Sequence, residues 1–201
     1  MQLLWWFGIH GPNVMSAVTT PFMTKMMATN LELYQAGEGV TASGVFYTAG
    51  SKYSIIANPF ASGWFSSTGS GITMGLIVAI MLFSKRDDFK AIAKLAIPCG
   101  LFNINEPIIF GIPMVMNAMF AVPFFLAPVA CVCCGYLVQS LGLCPLFVID
   151  VPWTTPVGLF GFLASSGNIM GAIWQVVIIV GVSTLIYTPF VIAANRQETA
   201  A

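Results

Sequence analysis

"NINEPIIFGIP", residues 103–113, is the stretch on which the fold turns. Glu106 is the only charged side chain between Leu95 and Ile149, and it stands directly before Pro107. Pro98, Pro107 and Pro113, with Gly100 and Gly111, fall within sixteen residues. Proline lacks the N–H a helix needs and pushes the preceding residue towards extended geometry. A straight membrane helix is therefore not expected here. Irregular backbone at membrane depth persists only when buried in protein or facing a watery cavity. Pro107 is favourable at the first position of a helix, so Glu106 is expected at that helix's mouth, beside N–H groups suited to an anion or a bound hydroxyl. Asn103 and Asn105 add amide donors and acceptors. A carboxylate within membrane-embedded sequence marks a functional site by default; capping of a short helix is the plainer alternative.

The rest of the chain says that this is membrane sequence. Its 201 residues are 58% hydrophobic and only 7% charged, with a mean hydropathy of +0.89. Soluble domains carry roughly 25% charged residues. Lys plus Arg equals Asp plus Glu, seven each, so no basic face exists to hold nucleic acid. Charges are absent from Tyr53 to Ser84 and from Val151 to Asn195, and from Leu95 to Ile149 apart from Glu106. A spanning helix needs about 20 mostly apolar residues. Three candidates meet that need: 71–83 extended back through Ser66, 114–138, and 169–193. Met1 to Met27 is apolar but interrupted by Gly8, Gly11, Pro12 and Pro21, which predicts a bent or re-entrant segment. The polar stretch 28–52 predicts an exposed connection, as loop or surface helix, with Glu32 and Glu38 solvated.

Basic residues give the orientation. "KRDDFKAIAK" (85–94) holds four of the seven, and Arg196 lies just beyond the last candidate span. Loops rich in Lys and Arg stay cytoplasmic. Placing both inside requires an even number of crossings between them, which 114–138 and 169–193 supply. Leu95 to Pro113 must then enter the membrane and return, or lie at its surface. No signal peptide is expected at Met1, since neither a charged n-region nor a small-residue cleavage site follows. The dense first motif makes the chain read as the end of a longer transporter, a single membrane domain over 1–201.

Two further motifs carry chemistry. In "WWFGIHGPN" (5–13), His10 is the sole histidine and has glycines on both sides. Histidine donates, accepts or exchanges a proton near neutral pH, and flanking glycines admit a close ligand. An interfacial tryptophan belt with a satisfied histidine is an equal alternative. In "VPWTTPVG" (151–158), after Asp150, an aromatic plane stands beside hydroxyls. That surface suits a sugar ring, although an interfacial turn anchored by Trp153 is the simpler reading. One His and one Glu make no metal site. Cys131 and Cys134 share a helix face, but no second pair follows at zinc spacing, so the cysteines read as packing. "GSG" (69–71) lacks the strand and the Lys-Ser/Thr ending of a phosphate loop.

Taken together, "WWFGIHGPN", "GLFNINEPIIFGIPMVMN", "VPWTTPVG" and the glycine-rich "STGSGITMGL" (67–76) resemble the membrane component, enzyme IIC, of bacterial sugar phosphotransferase systems of the lactose/cellobiose/diacetylchitobiose family. Such proteins are about twice this length, and the chain resembles their C-terminal, sugar-binding half. The resemblance implies an all-α integral membrane fold, with several transmembrane helices and two re-entrant helical hairpins whose tips meet at the sugar. It implies that Glu106 is catalytic, hydrogen-bonding the sugar's C6 hydroxyl and helping to remove its proton. His10 and Asn105 would bind alongside, and Trp5 and Trp153 would line the site. The implied substrate is a β-linked, cellobiose-like disaccharide, phosphorylated at C6 by a phosphocysteine on cytoplasmic enzyme IIB, itself served by enzyme IIA. Neither cofactor nor metal is implied. The implied setting is the bacterial cytoplasmic membrane with its lipid, as a homodimer at full length. An ion-coupled secondary transporter and a non-functional truncated permease are the competing expectations.

Overall fold

The computed structural model describes residues 1–112 and 114–198; Pro113, one of the three prolines above, lies outside them. Ten α-helices follow in chain order: α1 (Gln2–Trp6), α2 (Gly11–Gln35), α3 (Asn58–Trp64), α4 (Met74–Phe83), α5 (Asp87–Leu101), α6 (Glu106–Gly111), α7 (Ala118–Ser140), α8 (Leu159–Ala164), α9 (Ile169–Val176) and α10 (Ser183–Glu198). A π-helical turn, Val177–Val182, joins the last two into one rod. The fold is thus largely helical. The described strands form one small antiparallel ladder, β1 (Val40–Thr41) with β2 (Gly44–Val45), closed by a turn at residues 42–43.

Among the described residues, two helices have the length and composition to cross a membrane, Ala118–Ser140 and Ile169–Arg196. The third expected span is not one helix. Only Met74–Phe83 is helical, about 15 Å at 1.5 Å per residue, against a hydrocarbon core of about 30 Å. The residues before it cannot continue the helix, because Thr68, Gly69, Gly71 and Ile72 all adopt left-handed backbone, with φ between 52° and 84°. Pro98 and Pro21 lie inside α5 and α2 instead of interrupting them. The polar stretch 28–52 is also divided: its first residues finish α2, and the remainder carries the β-hairpin. Glu32 is exposed, as expected. Glu38 is paired with Lys52 at 2.8 Å on the surface.

The core has two parts. One gathers α4, α5, α6, α7 and α10 around Leu76, Ile80, Ile108, Phe120 and Tyr187. The other joins α3, the 144–151 segment, α8 and the π-helical turn around Trp64, Phe147 and Phe160. Trp64 stacks on Phe147 with centroids 5.1 Å apart, and α7 comes close enough there that a Cβ on Gly135 would overlap the Trp64 ring. By contrast, α2 buries only Gly11 and Asn30 along its 25 residues.

The ends of α4 and α10 meet. Asn195 donates to the Phe83 carbonyl at 2.9 Å and accepts from the Lys85 N–H at 2.9 Å. The basic 85–94 segment and the C-terminal end of α10 therefore lie together at one end of the molecule. Arg86 clasps Asp88 there and holds its carboxyl below the usual carboxylate range.

Candidate functional site

Two helix breaks face one another. The first separates α1 from α2, where Gly8 takes φ 77° and His10 caps α2. The His10 Nδ1 accepts the Asn13 N–H at 3.3 Å, which leaves the ring proton of a neutral imidazole on Nε2. The second break, residues 102–105, separates α5 from α6. Asn105 is the N-cap residue, Glu106 the first helical residue and Pro107 the second. The His10 Nε2 lies 3.8 Å from the Glu106 Oε1, and each side chain is 43% exposed. That separation exceeds a direct hydrogen bond, so the two groups flank an accessible gap without closing it.

Trp5 backs this pair. Its ring centroid is 4.8 Å from that of His10 and 6.1 Å from that of Phe110. Only 4% of Trp5 is exposed, and its indole N–H has no acceptor among the described residues. Trp5 thus meets the gap through His10, as a wall behind the imidazole. Trp153 is 62% exposed, with its backbone carbonyl tied to Asn103. Asn105 is buried, and its amide donates to the Ser70 carbonyl at 2.5 Å. The structure therefore brings His10, Glu106 and Trp5 together directly. Asn105 and Trp153 join through backbone held at the same break.

The second break is fastened to two other loops. Asn103 accepts the Thr68 N–H and donates to the carbonyls of Trp153 and Thr155. A Cβ on Gly69 would overlap the Asn105 amide, and Gly69 also has φ 80°, so glycine is required there both for approach and for backbone. Tyr187 donates to the Gly71 carbonyl at 2.7 Å. Gln175, fully buried, accepts from the Gly158 and Gly161 N–H groups at 2.8 Å each and donates to the Gly63 carbonyl at 3.2 Å. The sequence reading missed Gln175, Tyr187 and Phe110. The signal for Gln175 was there: it is the one glutamine in a run of 45 residues without charge, and a polar side chain in such sequence needs partners.

No group of three or more His, Cys, Asp or Glu side chains among the described residues is placed to hold a metal ion. An open cavity of about 410 Å³ lies apart from the histidine–glutamate pair, lined by Tyr34, Asp150, Pro152, Leu163 and Ser166 among others. None of the expected site residues is in its lining.

The sequence profile of one family, described as "Phosphotransferase system, EIIC", matches residues 1–128. The chain belongs to the phosphotransferase-system EIIC family. This EIIC chain is 35% identical over 209 residues to the cellobiose-specific EIIC component of Lactococcus lactis subsp. lactis (strain IL1403), covering 98% of this chain and 42% of that protein. To the lichenan permease IIC component of Bacillus subtilis (strain 168) it is 36% identical, covering 98% of this chain and 41% of that protein. The crystal structure of the transporter ChbC, the IIC component of an N,N'-diacetylchitobiose-specific system, superposes with a TM-score of 0.87 at 33% identity. The overlap covers 99% of this chain and 43% of ChbC. The EIIC chain thus spans about two fifths of the length of the relatives it matches.

Proposed function

We propose that this chain is the substrate-binding, C-terminal part of an EIIC sugar permease that takes a β-linked disaccharide of the cellobiose type. The observation that carries the reading is the accessible gap between the His10 Nε2 and the Glu106 Oε1, 3.8 Å wide. An oxygen about 2.8 Å from each closes a triangle of ordinary hydrogen bonds. His10 donates to that oxygen, and Glu106 accepts its proton. This is the geometry of a general base acting on a sugar hydroxyl, a poor nucleophile until its proton is drawn away. Trp5 holds the imidazole in place, Trp153 offers an open aromatic face, and Asn105 keeps Glu106 at the break.

The reaction is phosphorylation at C6. The C6 oxygen bonds to the phosphorus of a phosphocysteine on enzyme IIB. The S–P bond breaks, the thiolate leaves with its electron pair, and the hydroxyl proton passes to Glu106. Phosphoryl transfer depends mainly on positioning and charge management, and with the phosphate supplied by enzyme IIB none of this chain's cysteines need be the donor. Enzyme IIA replenishes IIB. The α1–α2 and α5–α6 units are read as the two re-entrant hairpins, in a multi-pass protein of the bacterial cytoplasmic membrane that is a homodimer at full length. The side that carries Lys85, Arg86, Lys90 and Lys94 together with the end of α10 is cytoplasmic. The contacts of Asn195 with Phe83 and Lys85 support a common side for both, and the basic residues support its being the inner one.

The test is reconstitution of the intact protein in proteoliposomes with a panel of β-linked disaccharides. Saturable binding of cellobiose, and conversion to its 6-phosphate only when phosphorylated enzyme IIB is present, is the expected result. Uptake of unmodified sugar driven by an ion gradient without enzyme IIB would assign the chain to the secondary transporters.

A further inference from the structure

Asn103 is placed to act on the site without touching a ligand. It is buried, 6% exposed. Its Oδ1 accepts the Thr68 N–H at 2.6 Å. Its Nδ2 donates to the carbonyls of Trp153 and Thr155, the latter at 2.9 Å. A side-chain amide nitrogen has two hydrogens, and both are engaged, so Asn103 has no donor left for a sugar. One side chain thus closes three segments remote in sequence: the 66–72 loop, the 102–105 break and the 152–155 loop.

The residue type follows from two demands made at one position. The backbone is left-handed there, φ 65°, a region that Asn enters more readily than most side chains. The surroundings require a short group that donates and accepts together, which an amide does and a carboxylate does not. Asp would meet the first demand and fail the second. Gly would meet the first and offer no side chain.

We propose that Asn103 is a positioning residue that sets the distance between Glu106, three residues further on, and the exposed ring of Trp153. The clasp presents carboxylate and aromatic face as one surface. A disaccharide that engages both then gains from a spacing fixed in advance, since preorganisation lowers the ordering cost of binding. The inference rests on the reading of Glu106 and Trp153 as sugar contacts.

The experiment is a double-mutant cycle on the intact reconstituted protein, with cellobiose as probe and calorimetric Kd as readout. Asn103→Gly keeps the left-handed backbone and removes the amide. Asn103→Asp keeps the acceptor for Thr68 and sets an oxygen against the carbonyls of Trp153 and Thr155. Each weakens cellobiose binding by about tenfold, while thermal melts show folded protein. In the Trp153→Ala background, itself weakened, Asn103→Gly costs less than about twofold more, because the ring it positions is gone. Wild-type affinity in both Asn103 variants overturns the proposal. So does the full tenfold loss persisting without Trp153, or a Trp153→Ala protein that binds normally. A wild-type protein that binds no β-linked disaccharide rejects the permease reading, and this inference with it.

Discussion

Prolines interrupt apolar sequence in two regions of this chain, with opposite results. α7 carries Pro123 and Pro128 and runs unbroken through 23 residues. The 95–112 region carries Pro98 and Pro107, and its helix stops at Leu101, three residues after the first proline, then restarts at Glu106. Proline is common to both, so proline is not what stops the helix. The difference lies in what receives the freed backbone and side chains. At the break, Asn103 is left-handed, and buried amides of Asn103 and Asn105 bond to loops 66–72 and 152–155. In α7 the two prolines are buried among apolar neighbours, and the backbone continues. The helix break before Glu106 is thus built by satisfied amides, with Pro107 accommodated in the first turn that follows.

The comparison breaks most visibly at Glu106. Glu106→Gln keeps shape and hydrogen bonding but cannot take a proton, so phosphorylation of cellobiose falls by about a hundredfold or more. Its binding stays within about threefold. Phosphorylation assays with enzyme IIB, beside calorimetry, measure the two. Loss of binding together with turnover would mean that the Glu106 charge also holds the sugar, and a purely catalytic role would be wrong.

Next in size is Gln175→Leu. It leaves the Gly158 and Gly161 N–H groups, both bonded to Gln175 in the native fold, buried without partners. The cost is about 2–4 kcal/mol, read from unfolding in detergent. A substitution that leaves unfolding unchanged would mean that the 152–158 loop is not held from this side. His10→Ala removes one donor from the gap beside Glu106 and weakens cellobiose binding by about tenfold. Unchanged affinity would reduce His10 to the cap of α2, a role already visible in its bond to Asn13.

Much of this was legible in the sequence, and the rest failed for definite reasons. The break near Glu106, the bend near His10 and two apolar spans are all readable from composition and glycine placement. Leu95 to Pro113 was expected to contain irregular backbone, and it does, at 102–105. The 66–83 span was misread because apolar composition does not report φ: Thr68 and Ile72 are left-handed without being glycine. Continuous helix through Pro98 and Pro21 was missed because a single proline removes one helical hydrogen bond without stopping the turns on either side of it. The partners of Asn103, Asn105 and Gln175 lie 14 to 112 residues away, distances at which local pattern is silent.

The smallest effect is expected in α7, and it is the sharpest test of the contrast. Pro123→Ala restores an N–H that can bond back to Met119, four residues earlier, and this gain is offset by the lost burial of the ring. The two terms are each about 1 kcal/mol and opposite in sign, so unfolding moves little. Cellobiose affinity stays within about twofold, since α7 was helical before the change and remains so. A loss greater than about fivefold would mean that the proline in α7 shapes the site after all. A proline that a helix absorbs and a break that buried amides hold open would then no longer be distinct cases.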